Sequence, residues 1–196
     1  MIICAATNNG GKLKELRRIL AAMGHEVKSL RELDITLDPE ETGETFAENA
    51  RLKALAFCAA AGLPTVADDS GLCVDALNGR PGVYSARYCG VHGDDEANNQ
   101  LLLKKLENVN DPDRTAHYGA AVALCRPGHA PLTTYGMCCG RILREYRGEG
   151  GFGYDPLFYS DDLGMTFAEA DPEAKNGVSH RARAIEKLID ALEAEK

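Results

Sequence analysis

The chain has 196 residues, is 44% hydrophobic and carries a formal net charge of -8. That length suits one domain, taken here as 1–196, with enough apolar residues for a substantial core. The acidic balance argues against nucleic acid as a partner, because broad binding needs basic surface to displace counterions. No run is long enough to cross a bilayer and the start lacks a signal-peptide layout, so a soluble, cytoplasmic protein with no membrane partner is expected. The seven cysteines form no Cys-x-x-Cys pair, and Cys4, Cys58, Cys73 and Cys125 sit in apolar runs. Neither a zinc site nor a disulfide framework follows.

Ile2 to Ala6 is continuously apolar and reads as a strand buried on both faces. Thr7, Asn8, Asn9, Gly10, Gly11 and Lys12 follow, and then a helical stripe of Leu13, Leu16, Ile19, Leu20 and Met23 that Gly24 ends. Strand, glycine-rich loop and helix make a cradle of free N–H groups for an anion, with a lysine added. It is not a P-loop, because Leu13 stands where a Mg²⁺-binding Ser or Thr would be. Glu26 to Ser29 suits a second strand. An acidic loop carries Glu40 and Glu41, which have the right chemistry to reach a metal. Thr45 and Glu48 form a capping box that opens a helix running to Ala61, with Gly62 and Pro64 as stops. That helix is apolar over most of its surface, so it is expected to be largely buried. Asn49 and Lys53 share one of its faces and call for a phosphate or an internal carboxylate such as Asp69.

Asp68 and Asp69 stand between the apolar runs Pro64 to Ala67 and Leu72 to Val74. Adjacent carboxylates where a strand meets a turn are costly without a cation. They suit Mg²⁺, which takes a few carboxylate oxygens and keeps sites for water and phosphate. Ser70 adds a hydroxyl and Gly71 lets the chain turn, although Asp, Ser and Gly are also ordinary turn residues. A helix over Asp94 to Leu106 and a hairpin over Ala116 to Arg126 and Leu132 to Arg144 come next. Between Gly148 and Gly153, four of six residues are glycine. Such a loop suits backbone lying close to a ligand, with Phe152 available to stack on a planar ring. Lys175 lies in a polar segment. His180 and Arg181 open a last helix, where cations are unfavourable unless they face an anion or an acceptor oxygen. Strands and helices alternate early and a hairpin comes late, which gives an α/β chain with a mixed sheet.

Six stretches together resemble the inosine triphosphate pyrophosphatase family, in order and spacing. They are Thr7 to Lys12, Thr45 to Ala54, Ala67 to Leu72, Pro81 to Arg87, Gly150 to Pro156, and Ser179 to Arg181. The resemblance implies an elongated, two-lobed fold around a mixed twisted sheet, with the active site in the central cleft, and a homodimer. It implies Mg²⁺-dependent hydrolysis of non-canonical purine nucleoside triphosphates (ITP, dITP, XTP) to the monophosphate and pyrophosphate. By position, Thr7 to Lys12 bind the triphosphate, Asp69 is proton acceptor and metal ligand, and Ser70 contacts substrate. Phe152, Gly153, Tyr154, Asp155, Lys175, His180 and Arg181 surround the nucleoside. Asp68 and one of Glu40 and Glu41 complete the expected metal set, and Lys53 joins Lys12 on the phosphates. Arg144-Glu145-Tyr146 departs from the family, which often has a proline there. A pyrophosphatase for another modified nucleotide and a nucleotide sensor without catalysis are the alternatives.

Overall fold

The computed structural model describes residues 1–194. In chain order the regular elements are β1 (Ile2–Ala5), α1 (Gly10–Ala22), β2 (Glu26–Ser29), α2 (Phe46–Ala61), β3 (Thr65–Val74), β4 (Arg80–Pro81), α3 (Asp95–Lys105), β5 (Thr115–Cys125), β6 (Leu132–Ile142), β7 (Phe158–Ser160), β8 (Met165–Thr166), α4 (Pro172–Val178) and α5 (His180–Ala194). The strands form one open sheet in the order β2-β1-β3-β5-β6-β7-β8, with β4 paired to β3. Pairing is parallel at β1–β2 and β1–β3, and antiparallel at β3–β4, β6–β7 and β7–β8. The sheet is therefore mixed, as the late hairpin leads one to expect.

The chain divides into two compact units. One comprises Met1–Asp69, Ala120–Gly136 and the chain from Arg181 onward; the other comprises Ser70–Gly119 and Met137–His180. In the first unit the sheet is covered on both faces, which is why β1 reads as a continuous apolar run. On one face Ile3, Ala5, Val66, Val122 and Leu124 pack with α1 (Leu16, Ile19, Leu20) and α5 (Ile185, Leu188). On the other, Cys4, Ala6, Ala67, Ala121 and Ala123 pack with Ala50, Ala54, Phe57 and Cys58 of α2. Successive strand residues alternate between these faces. The second unit has its own core, built on Leu72, Val74, Leu102, Leu106, Tyr118, Phe158 and Phe167.

Several local expectations need adjusting. α1 starts at Gly10 rather than Leu13, because the Asn9 side chain accepts from the Lys12 N–H and caps it there. α2 has the expected capping box and a left-handed Gly62 cap. It is only half buried, however: Asn49, Ala50, Ala54, Phe57 and Cys58 face inward while Leu55 is 46% exposed. Its many alanines raise the apolar count without defining a buried surface. Asp68 and Asp69 do not stand at a strand end, since β3 runs straight through them to Val74. Gly71 is within that strand, where any Cβ would run into the Gly82 carbonyl and the Ser85 hydroxyl. Its role is close packing rather than turning. Lys175 sits on a short helix, α4, which Asp171 caps and Pro172 begins.

Candidate active site

Asp68 and Asp69 are adjacent on β3 and so point to opposite faces of the sheet. Asp68 shares a face with Val66, where α1 and α5 pack, and its partners come from those helices. Lys12 Nζ lies 3.2 Å from Asp68 Oδ2 and Arg181 Nη2 lies 3.0 Å from the same atom. The other arm of the Arg181 guanidinium is bound by Glu15 of α1. Both Asp68 and Arg181 are 1% exposed. Burial alone would raise the Asp68 pKa, but Lys12, Arg181 and Lys53 outweigh it and hold the carboxyl far below its ordinary range. Arg181 is likewise held firmly in its charged form: burial opposes this, and Asp68 and Glu15 overcome it.

Asp69 shares the α2 face with Ala67. Asn49 Nδ2 donates to its Oδ2 at 3.0 Å. Lys53, one turn further along α2, places Nζ 3.9 Å from Asp69 Oδ1 and 2.6 Å from Glu41 Oε1. The Asn49–Lys53 face thus meets Asp69, one of the two partners the sequence suggests. Burial raises the Asp69 pKa, and the nearby Lys53 and Lys12 only partly offset this. The two neighbouring carboxyls are pushed apart, Asp68 fixed as an anion and Asp69 made more basic than an ordinary aspartate. Lys12 is the cation whose pKa burial lowers, whereas the three acids around Lys53 more than compensate for its burial.

The expected metal set of Asp69, Asp68 and one of Glu40 and Glu41 does not come together as three acids on one point. Among the described residues no group of three or more His, Cys, Asp or Glu side chains is disposed to hold a metal ion. Asp68 is turned away to Lys12 and Arg181, and Glu40 is exposed. Asp69 and Glu41 remain, and both already converge on one cation, the Lys53 ammonium. Two carboxylates sharing a positive charge fit a hard divalent ion that keeps several waters and takes phosphate oxygens.

Thr7 to Lys12 lead from β1 into the first turn of α1. The Thr7 hydroxyl accepts from the Asn9 N–H, and Asn8, Asn9 and Gly10 are exposed.

In the second unit the glycine-rich loop is organised by Asp155, which is 3% exposed. Its Oδ2 accepts from the Phe152 N–H at 2.9 Å and from Lys175 Nζ at 2.7 Å, and its Oδ1 accepts from the Tyr118 hydroxyl at 3.4 Å. Gly151 has φ 75°, and a Cβ there would strike the Asp155 carboxylate. The Lys175 ammonium lies 4.8 Å from the Phe152 ring centroid. α3 grips the Gly153 peptide from both sides: Asp95 accepts from its N–H at 2.7 Å and Asn99 donates to its carbonyl at 2.9 Å. The Tyr154 hydroxyl is turned inward to the Ser85 carbonyl at 2.8 Å. His180 is buried and stacks on Tyr118 with centroids 4.9 Å apart and planes 11° apart. Ser70 begins this unit, joined to Asp69 by one peptide bond, and His180 ends it, joined to Arg181.

Thus Lys12, Lys53, Arg181, Asp68, Asp69, Asn49 and Glu41 are interconnected in the first unit. Phe152, Gly153, Asp155, Lys175 and His180 cluster in the second. Sequence reasoning missed Glu15, Tyr118, Asp95 and Asn99. For Glu15 a signal exists, since it lies three residues after Lys12 and hence on the same side of α1. Nothing local marks the other three.

A mixed open sheet with carboxylates paired to buried cations midway along one strand defines an α/β protein with a charged centre. The chain belongs to the Ham1 family, whose model matches residues 3–191. It is 50% identical over 192 residues to a dITP/XTP pyrophosphatase of Desulforamulus reducens, covering 98% of this chain and 96% of that one. It is 49% identical to the dITP/XTP pyrophosphatase of Bacillus subtilis, covering 96% of each. The solved Ham1 protein of Staphylococcus aureus superposes with a TM-score of 0.86 at 43% identity over the whole of both chains.

Proposed function

We propose that this protein hydrolyses non-canonical purine nucleoside triphosphates (ITP, dITP and XTP) to the monophosphate and pyrophosphate. Its role is to keep deaminated bases out of nucleic acid. One observation carries the chemistry: Asp69, buried and held by Asn49, shares a cation with Glu41 beside an Asp68 already neutralised by Lys12 and Arg181. The substrate class rests on relatives half identical over nearly the full chain that are dITP/XTP pyrophosphatases.

Asp69 and Glu41 would hold Mg²⁺. When bound, the ion neutralises phosphate charge and lowers the pKa of a bound water. Asp69 takes the proton from the water that attacks the phosphorus nearest the sugar. Lys12, Lys53 and the N–H groups that begin α1 bind the triphosphate and align it for in-line displacement, with pyrophosphate as leaving group. Phe152 stacks on the base. Lys175 and His180 donate to the oxygen at purine position 6, where adenine has an amino group instead. Ser70 contacts the nucleotide. A homodimer, which the resemblance implies, acting in the cytoplasm completes the reading.

The test is pyrophosphate release from ITP, XTP, GTP, ATP and dUTP, with and without chelator. Release from ITP and XTP that far exceeds release from ATP, and that chelator stops, is the expected result. Equal rates on all five, or turnover indifferent to chelator, would overturn the reading.

A further inference from the structure

We infer that Tyr118 is a positioning residue for base selectivity, acting through His180. The inference deepens the functional reading above and rests on its assignment of Lys175 and His180 to the base. Tyr118 touches His180 directly and is linked to Lys175 only by way of Asp155. Its ring lies nearly parallel to the His180 imidazole, 4.9 Å away and 11° tilted. Its hydroxyl reaches Asp155 Oδ1 at 3.4 Å, while Asp155 Oδ2 takes the Lys175 ammonium and the Phe152 N–H. The ring sets the plane of the imidazole, while the hydroxyl adds one long hydrogen bond to a carboxylate that Lys175 and the Phe152 N–H already hold.

The platform is itself rigid. Phe158 meets the Tyr118 ring edge-on at 4.7 Å, and Phe167 lies parallel to it at 5.8 Å with a 5° tilt. Aromatic contacts of this kind are directional, so the Tyr118 ring has little freedom to rotate. Tyr118 lies in β5, a hydrogen-bonded strand of the sheet, so its backbone is held by ladder pairing. Burial and Asp155 push its phenol well above the ordinary tyrosine pKa, which keeps the hydroxyl a donor throughout the working range. A flat ring on an immobile strand is a means of holding an imidazole at a set angle. Selection between an acceptor oxygen and an amino group depends on that angle, because a hydrogen bond weakens steeply as it bends.

The experiment measures kcat/KM for ITP and ATP in the wild type, Tyr118→Phe, Tyr118→Leu, His180→Ala and the Tyr118→Leu/His180→Ala double variant. Tyr118→Phe keeps the ring and loses only a long hydrogen bond, so its ITP:ATP ratio is expected to stay within about threefold of wild type. Tyr118→Leu is expected to lower the ratio about tenfold or more, mainly through a raised KM for ITP. In the His180→Ala background the same leucine substitution should change the ratio little further. Equal loss on both nucleotides, or additive effects in the double variant, would overturn the inference. A second readout does not depend on the leucine variant folding. The His180 ring protons of the wild type, followed by NMR, should be shifted upfield by the Tyr118 ring current, and unshifted protons would equally refute the stack. A wild type that cannot tell ITP from ATP would sink the functional reading, whereas a selective wild type with an insensitive Tyr118→Leu would sink this inference alone.

Discussion

Asn49 joins Asp69 to the acidic loop: its Nδ2 donates to Asp69 Oδ2 at 3.0 Å, and its Oδ1 accepts from the Gly43 N–H at 2.8 Å. One buried amide therefore fixes the carboxylate and the backbone two residues from Glu41. Asn49→Ala should loosen both. Groups that orient metal ligands typically cost 10–100-fold in affinity or activity when removed, so the Mg²⁺ needed for half-maximal turnover should rise about tenfold or more. A Mg²⁺ titration of kcat checks this. An unchanged midpoint would show that the amide does not hold the pair.

Asp69→Asn keeps the shape and removes the base. Turnover on ITP should fall by about 10²–10⁴-fold, the usual contribution of a positioned proton acceptor. The melting temperature should not fall, because burial disfavours the charge that the substitution removes. Near-normal kcat would take Asp69 out of that role.

Lys175→Ala strips the ammonium from Asp155, which lies 2.7 Å away with both side chains largely buried. If the ammonium donates to the purine oxygen, the ITP:ATP ratio of kcat/KM should fall about tenfold or more. Stability should also fall, by about 3–5 kcal/mol, because a buried carboxylate loses its counterion. An unchanged ratio in a destabilised variant would leave Lys175 as a structural residue only.

What the sequence disclosed follows the range of the forces involved. α2 was legible at both ends because the Thr45–Glu48 box and Gly62 act within a few residues. α4 carried equally local marks in Asp171 and Pro172, but the polarity of the segment outweighed them. β3 was misjudged at the acids because Asp is a poor strand former. The charges that make the strand tolerable, on Lys12, Lys53 and Arg181, arrive from elements far along the chain. The same holds for Tyr118 and for the Asp95 and Asn99 grip on Gly153, contacts that span 37 to 62 residues of sequence. Motif spacing singled out Asp69, Lys53, Asp155 and Lys175; it could not find distant supports such as Tyr118, whose hydroxyl reaches Asp155.

Gly71→Ala should be costly despite its mildness. The added methyl meets the Gly82 carbonyl and the Ser85 hydroxyl, and the latter already accepts from the Leu72 N–H at 2.9 Å. Overpacking of this kind costs about 1–3 kcal/mol. Urea unfolding should show a lowered midpoint with an unchanged slope. A midpoint equal to wild type would mean that the 82–85 segment yields freely.

Asp68 links stability to pH with a definite sign. Its carboxyl is held far below the ordinary value of 3.8, since Lys12, Arg181 and Lys53 outweigh burial. In the unfolded chain it titrates near 3.9. A carboxyl with a depressed native pKa binds protons more readily when unfolded, so protonation favours unfolding. Its contribution is complete above about pH 5 and is lost progressively as the pH falls below about 4 toward the native value. Asp68→Asn removes that dependence and leaves Lys12 and Arg181 without their shared anion, which at pH 7 should cost about 3–5 kcal/mol. Urea unfolding of both proteins between pH 7 and pH 3 checks this: the gap should be widest at neutral pH and narrow below about pH 4, as acid protonates the unfolded wild-type chain. A constant gap across that range would mean that Asp68 is not ionised in the native protein.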